Sequence, residues 1–253
     1  MGGDDANVRF WCPLRRLPVG KLVALVFLPV VLTAAYCGGL RLQCVVGLRG
    51  ETPVMRSAVA VVLGFTLLSI GTFALTALGS LTTWSVWILV LVTLASGATL
   101  LPAHCRDLRA VVRSWQPKVP ELTVLVVLIM CLVLLAVEAL APPSAADTMA
   151  YHFFLPKRFL TASEFYYIPG VTMNSPVAMH MLYTLGMAIC CDRLAALLAL
   201  AHAVVLGGCM MTFGQRHLGS ATIGLGAAAL LLSTPMVVAT AASGHIDVAL
   251  SLY

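Results

Sequence analysis

The chain has 253 residues, 60% of them apolar and 10% charged, with a mean hydropathy of +0.99 and a formal net charge of +5. Soluble domains carry about 25% charged residues, so this chain has too little polar surface to be a soluble globular protein. Its apolar runs are continuous, roughly the length of a bilayer-spanning helix, and do not alternate. Backbone polar groups in lipid must be satisfied within the segment, and the expected fold is an all-α, polytopic membrane bundle. The positive balance does not point to nucleic acid, because the basic residues sit in short links between apolar runs, as cytoplasmic loops carry them. The cysteines (Cys12, Cys37, Cys44, Cys105, Cys131, Cys190, Cys191 and Cys209) form no CxxC pair. They read as small apolar residues, with no disulfide framework or zinc site.

The N-terminal "MGGDDANVRFWCPLRRLPVGK" is a long polar lead without a clear small-residue cleavage site, which favours a retained first helix over a cleaved signal peptide. Spans are expected at 22–40, 57–77, 83–102, 122–141, 194–213 and 220–242. No charged residue occurs between Ser57 and Ala103, and "ALGSLTTW" within that stretch reads as a tight turn joining a helical hairpin. The segment 104–120, "HCRDLRAVVRSWQPKVP", reads as a loop. Its Arg106, Arg109, Arg113 and Lys118 make it the strongest cytoplasmic marker in the chain.

With that loop inside, span 122–141 runs outward and delivers Asp147 to the outer face. The link "GQRHLGS" falls inside, Asp247 falls outside, and 41–56, with Arg41, Arg49 and Arg56, falls inside. The same topology puts the N-terminal tail outside despite Arg9, Arg15, Arg16 and Lys21. Either the first span is not a simple crossing or the charge rule is broken there. Residues 1–121 read as an N-terminal transmembrane extension, and 122–253 as a second membrane module.

Residues 148–192 are mixed polar and apolar, rich in aromatics and broken by Pro156, Pro169 and Pro176. They read as two or three short amphipathic helices on the outer surface. The alternative is that "SPVAMHMLYTLGMAI" crosses the membrane, which would put Asp147 and Asp247 on opposite faces. The final "DVALSLY" looks like the first turns of a further helix, the pattern of a chain truncated at its C-terminus.

Ionisable residues crowd into "PPSAADTMAYHFFLPKRFL", directly after an apolar span. That stretch, followed by "NSPVAMHMLYTLGMAI", the short basic link "GQRHLG", the Ser233-Thr234-Pro235 step and "SGHIDVAL", resembles the N-terminal half of polytopic GT-C class glycosyltransferases. Within that class it is most similar to the protein mannosyltransferase and aminoarabinose transferase type. The resemblance covers about 122–253 and rests on the order of the pieces, with two aspartates 100 positions apart. It departs from the family pattern in the first outer loop, where the family often has two adjacent acids and this chain has Asp147 preceded by Ala145 and Ala146.

The resemblance implies transfer of a sugar from a polyprenyl-phosphate donor to an acceptor on the outer face of a membrane, read here as the bacterial inner membrane. Asp147 is the expected general base and Asp247 the second catalytic acid. The two would share an acceptor or a divalent metal, with His245 beside them. Tyr151, His152, Lys157 and Arg158 are the expected substrate-binding residues, the cations meeting the charge of a departing lipid phosphate. Each has a plainer reading. Asp147 would cap the helix starting at Thr148, Asp247 would cap a helix after Gly244, and Lys157 and Arg158 would snorkel to headgroups. His152 would satisfy a local hydrogen bond. Glu138, near the outer end of its span, is a further candidate neighbour, and His202, mid-span, reads as a helix-to-helix contact. A lipid or solute transporter or flippase, and a non-catalytic membrane remnant, are the competing functions.

Overall fold

The computed structural model describes residues 19–48, 52–165 and 177–253. They form eleven α-helices and one π-helical turn, with no strand among them. Helices α1 (Val19–Val46), α2 (Pro53–Ala77) and α3 (Thr83–Gly97) make up the N-terminal half, followed by α4 (Leu101–Ser114) and α5 (Val119–Ala139). The π turn (Thr148–His152) leads into α6 (Phe154–Ala162) and α7 (Val177–Ile189). Then come α8 (Asp192–His217), α9 (Ala221–Ser233), α10 (Pro235–Ser243) and α11 (Asp247–Leu252).

Helices α1, α2, α5 and α8 are long and apolar enough to cross a membrane, and two bent pairs, α3–α4 and α9–α10, raise the number to six if each is one span. All six expected spans are therefore present as helix, but two are broken. The 83–102 span stops at Gly97, and the segment expected as a loop is helix α4, turned 68° from α3. Its sequence explains the turn. Arg106, Arg109 and Arg113 fall on one side and Leu101, His104, Leu108 and Val111 on the other, the pattern of a helix lying at an interface rather than crossing one. The second break, of 76°, falls at Thr234-Pro235, where proline starts α10 at a position that needs no N–H donor.

Apolar helices have no hydrophobic reason to choose one another in lipid, so close approach through small residues decides which pack. A Cβ on Gly39 would collide with the Ala60 carbonyl, and one on Gly64 with the Ala35 carbonyl, so α1 and α2 touch backbone to backbone. Gly214 and Gly224 do the same for α8 and α9, where a Cβ on Gly214 would stand 2.6 Å from Gly224 Cα. The "GQRHLG" link is the tight turn of that hairpin, with Gly219 at φ 67° and the Ser220 amide donating to Gly214 O at 3.1 Å.

The two halves share one bundle, with α2 packed on α7 and α8. Contacts sort the helix termini into two ends. At one end the Phe165 amide donates to Thr76 O, Thr83 Oγ1 to Ala188 O, and Arg193 Nε to Leu140 O. Cys191 Sγ lies 3.9 Å from Gly20 O at the same end. At the other end Gln43 Nε2 donates to Arg56 O, and Thr222 Oγ1 to Glu121. Helix α1 thus runs the full length of the bundle as a simple crossing, and the basic residues of the N-terminal lead, except Lys21, lie outside the described residues.

Helix α7 does not cross. His180, near its start, and Ala188, near its end, both bond to partners at the first end. It is not an exposed amphipathic helix either, for Met179 to Ile189 are all buried. It closes that end of the bundle like a plug, packed on α2, α3, α6 and α8. Asp147 and Asp247 therefore share one end.

Candidate functional site

The site is built from the corner after α5 and the corner between α10 and α11. Gly244 ends α10 at φ 83°, a left-handed conformation that only glycine adopts without cost. Its missing side chain makes room for Phe153, whose Cζ would stand 2.5 Å from a Cβ there. Thr148 Oγ1 donates to Ser243 O at 2.7 Å, and Tyr183 Oη donates to His245 O at 3.0 Å. Phe153 packs edge-on against Tyr183, with ring centroids 5.5 Å apart. Three fully or nearly fully buried side chains thus fix two segments that are about a hundred residues apart in sequence.

At the centre lies His152, buried on the π turn. Its Nδ1 is 3.2 Å from His180 Nε2, and its ring meets that of His245 edge-on at 5.3 Å. His245 Nδ1 is in turn 2.6 Å from Ser243 Oγ. Burial, then the neighbouring His245, push the His152 pKa down to about 4, against the opposing pull of Asp247 and Asp147. The imidazole is therefore neutral at physiological pH. One of the two nitrogens in the His152–His180 bond donates and the other accepts, which fixes both tautomers as a pair.

Both carboxylates are exposed and face this cluster. Tyr151 lies beside Asp147 and also feels Asp247, and its phenol is pushed up by desolvation first and by the two acids next. Asp147, Tyr151, His152, His245 and Asp247 thus come together as expected. The cap readings of the aspartates are not realised. Asp147 has helical backbone angles and makes no capping hydrogen bond. Asp247 is the first helical residue of α11, with Ile246 before it in the cap position, so it faces the favourable end of the helix without capping it.

Lys157 and Arg158 are placed differently. Lys157 Nζ is 2.7 Å from Asp192 at the start of α8. Arg158 is exposed and lies over the Phe154 ring, 5.7 Å from its centroid. Glu138 is exposed and borders a small cleft with Pro142, Phe153, Asp192 and Ser243. His202 stays inside the bundle, stacked on Phe65 at 4.6 Å, with Nδ1 2.8 Å from Leu198 O.

The sequence reading missed His180 and Tyr183, although each is a polar side chain in an otherwise apolar segment, which is a signal for a buried hydrogen bond. A divalent metal held by the described residues alone does not fit. Among the described residues no three His, Cys, Asp or Glu side chains stand together as a ligand set, and His152 and His180 spend facing nitrogens on each other.

The fold and the site define a multi-pass α-helical membrane protein with an acid–imidazole cluster at one end. Comparison with protein-family models, curated proteins and solved structures finds no match for this chain.

Proposed function

We propose that the chain is a membrane glycosyltransferase, or its N-terminal part, that moves a sugar from a polyprenyl phosphate to an acceptor outside the membrane. The observation that carries this reading is the convergence of Asp147 and Asp247 on one imidazole cluster at the end of the bundle.

The distribution of charge supports an outward-facing site. The opposite end carries Arg41, Arg56, Arg106, Arg109, Arg113, Lys118 and Arg216 against Asp107 and Glu121. The site end carries Lys21, Lys157, Arg158 and Arg193 against Glu138, Asp147, Glu164, Asp192 and Asp247. Cytoplasmic faces are rich in Lys and Arg, so the basic end is assigned inside, here to the bacterial inner membrane.

In the proposed step the acceptor oxygen or nitrogen bonds to the anomeric carbon as the bond from that carbon to the lipid-phosphate oxygen breaks. The bonding pair leaves with the phosphate, and the acceptor proton passes to the Asp147 carboxylate. The Tyr151 hydroxyl orients that carboxylate, and neutral His152, locked by His180, backs the cluster without adding a charge. Asp247 accepts a hydrogen bond from the acceptor. Arg158, an exposed cation on α6, is the group proposed to meet the charge of the departing phosphate.

A translocator is the reading that the broken α9–α10 helix favours, because transporters bind substrate where helices are interrupted near the midplane. The ionisable groups here lie beyond the break, at the end of the bundle, which weighs against it. The test is lipid-linked sugar turnover in membranes holding the wild type or Asp147→Asn at matched expression. Loss of transfer by about a hundredfold or more, with unchanged protein level, supports the base assignment. Equal turnover removes Asp147 as the base, and no turnover by the wild type with any polyprenyl-phosphate sugar refutes the reading.

A further inference from the structure

His245 stands at the rim of the acid–imidazole cluster, half-buried, directly after Gly244. Its Nδ1 is 2.6 Å from Ser243 Oγ and 3.5 Å from Thr148 Oγ1. A hydroxyl has one proton to donate, and both of these protons are spent elsewhere. Thr148 donates to Ser243 O at 2.7 Å, and Ser243 donates to Ala239 O one helical turn back. Turning either proton toward the ring would leave a hydroxyl oxygen facing a carbonyl oxygen with nothing between them. Both hydroxyls can therefore only accept from Nδ1, and in the neutral imidazole Nδ1 carries the ring proton.

Nε2 then carries the lone pair. It has no protein partner among the described residues and is not sealed from solvent. His152 and His180 differ, being buried with facing nitrogens spent on each other. The backbone of His245 is held in place by Tyr183, whose hydroxyl donates to its carbonyl at 3.0 Å. His245, Asp247 and Asp147 all act electrostatically on His152, which places them around one ring. The rim thus offers three acceptors, the two exposed carboxylates and Nε2. A lone hydroxyl brings one proton and can serve only one of them.

We propose that His245 binds the acceptor substrate through Nε2, and that this substrate is a polyol of the sugar class. One hydroxyl gives its proton to Asp147 as it attacks, and neighbouring hydroxyls donate to Asp247 and to Nε2. A substrate with a single hydroxyl leaves the imidazole lone pair without a donor, which is how a site built for hydrogen bonds rejects an analogue that lacks them. This role rests on the glycosyltransferase reading, whereas the tautomer does not.

The test has two arms. Nitrogen NMR of the full chain, with its six histidines isotope-labelled, reads the tautomer at about pH 8, above the ordinary histidine value. The His245 signal, assigned with His245→Gln, is expected to show the proton on Nδ1. Ser243→Ala is expected to raise the Nε2-protonated share about fivefold. A wild-type ring protonated on Nε2 overturns the proposal. The second arm measures transfer from a polyprenyl-phosphate sugar to hexyl glucoside or to 1-hexanol. The wild type is expected to favour the glucoside about tenfold in kcat/KM. His245→Ala is expected to lower the glucoside value about fivefold, through KM, and to leave the hexanol value unmoved. If His245→Ala does not fold, His245→Phe keeps the ring volume without the lone pair. Equal use of the two alcohols, or an equal loss for both in the variant, overturns the polyol assignment. Turnover of neither, with His245 still protonated on Nδ1, refutes the glycosyltransferase reading and the polyol assignment with it.

Discussion

Each end of the bundle buries a histidine in a hydrogen-bonded cluster, and the two clusters are built for different ends. At the basic end His104 Nε2 is 3.0 Å from Ser57 Oγ, which is also 3.0 Å from the Tyr36 hydroxyl. Ser57 donates its own proton to Pro53 O at 2.9 Å. Its oxygen is thus left to accept from Tyr36 and His104, so the serine is a knot tying α1, α2 and α4 together rather than a nucleophile. At the other end His152 is tied to a second histidine and flanked by a third, with two exposed carboxylates at its edge. The comparison teaches that a buried histidine is not in itself a sign of chemistry. What distinguishes the site is that two acids, without a cation partner among the described residues, reach solvent beside it.

The largest effect is expected where backbone and packing coincide. Gly244→Val has to place a branched side chain at φ 83° and against the Phe153 ring. A cost of about 3 kcal/mol is expected from strain and overpacking together. Hydrogen exchange should show the 148–153 and 243–247 segments opening while α1–α3 keep their protection. Uniform loss of protection across both ends would mean that the corner is not a separate unit.

Acid should act on the site end next. The His152 pKa is about 4 in the fold against 6.5 when free. The opened segment binds a proton that the closed one rejects, so the stabilisation is complete above pH 6.5 and is lost as pH falls toward 4. The loss is on the order of 2 kcal/mol, read from exchange of the amides of the π turn or from ring nitrogen shifts of His152. A His152 titrating near its free value would contradict the buried pairing with His180.

The smallest effect is the control at the opposite end. Ser57→Ala removes an acceptor from the buried His104 and is expected to cost about 1 kcal/mol in thermal unfolding. It should leave the titration of His152 unmoved. If it shifts that titration, the two clusters are coupled through α2 and the contrast between the ends fails.

Much of this molecule was legible in the sequence because hydropathy acts locally. An apolar run needs no knowledge of its neighbours to be driven into lipid as a helix. Four of the six expected spans, the 77–84 turn and the 214–220 link are found where the sequence puts them, while the spans expected at 83–102 and 220–242 are helical but bent. The Lys and Arg pattern likewise separates the two ends without reference to packing. Local reasoning failed where the outcome depends on a direction of travel. Nothing in "LPAHCRDLRAVVRS" says that the chain turns 68° and continues as helix instead of unwinding, beyond an amphipathic spacing that was read as a loop. Helix α7 was assigned to the outer surface from the mixed composition of 148–192, yet tertiary contacts bury it, with His180 held by His152.

The sequence alone thus determined an all-α membrane bundle, its spans and the asymmetry of its ends, since these follow from the transfer of side chains out of water one segment at a time. The tertiary structure decided that Asp147 and Asp247 lie together, because that requires α7 not to cross and Gly244 to admit Phe153. It also decided that Lys157 turns to Asp192 and that His152 is neutral. These properties belong to pairs of residues distant in the chain, and their energies exist only once the chain has brought them into contact.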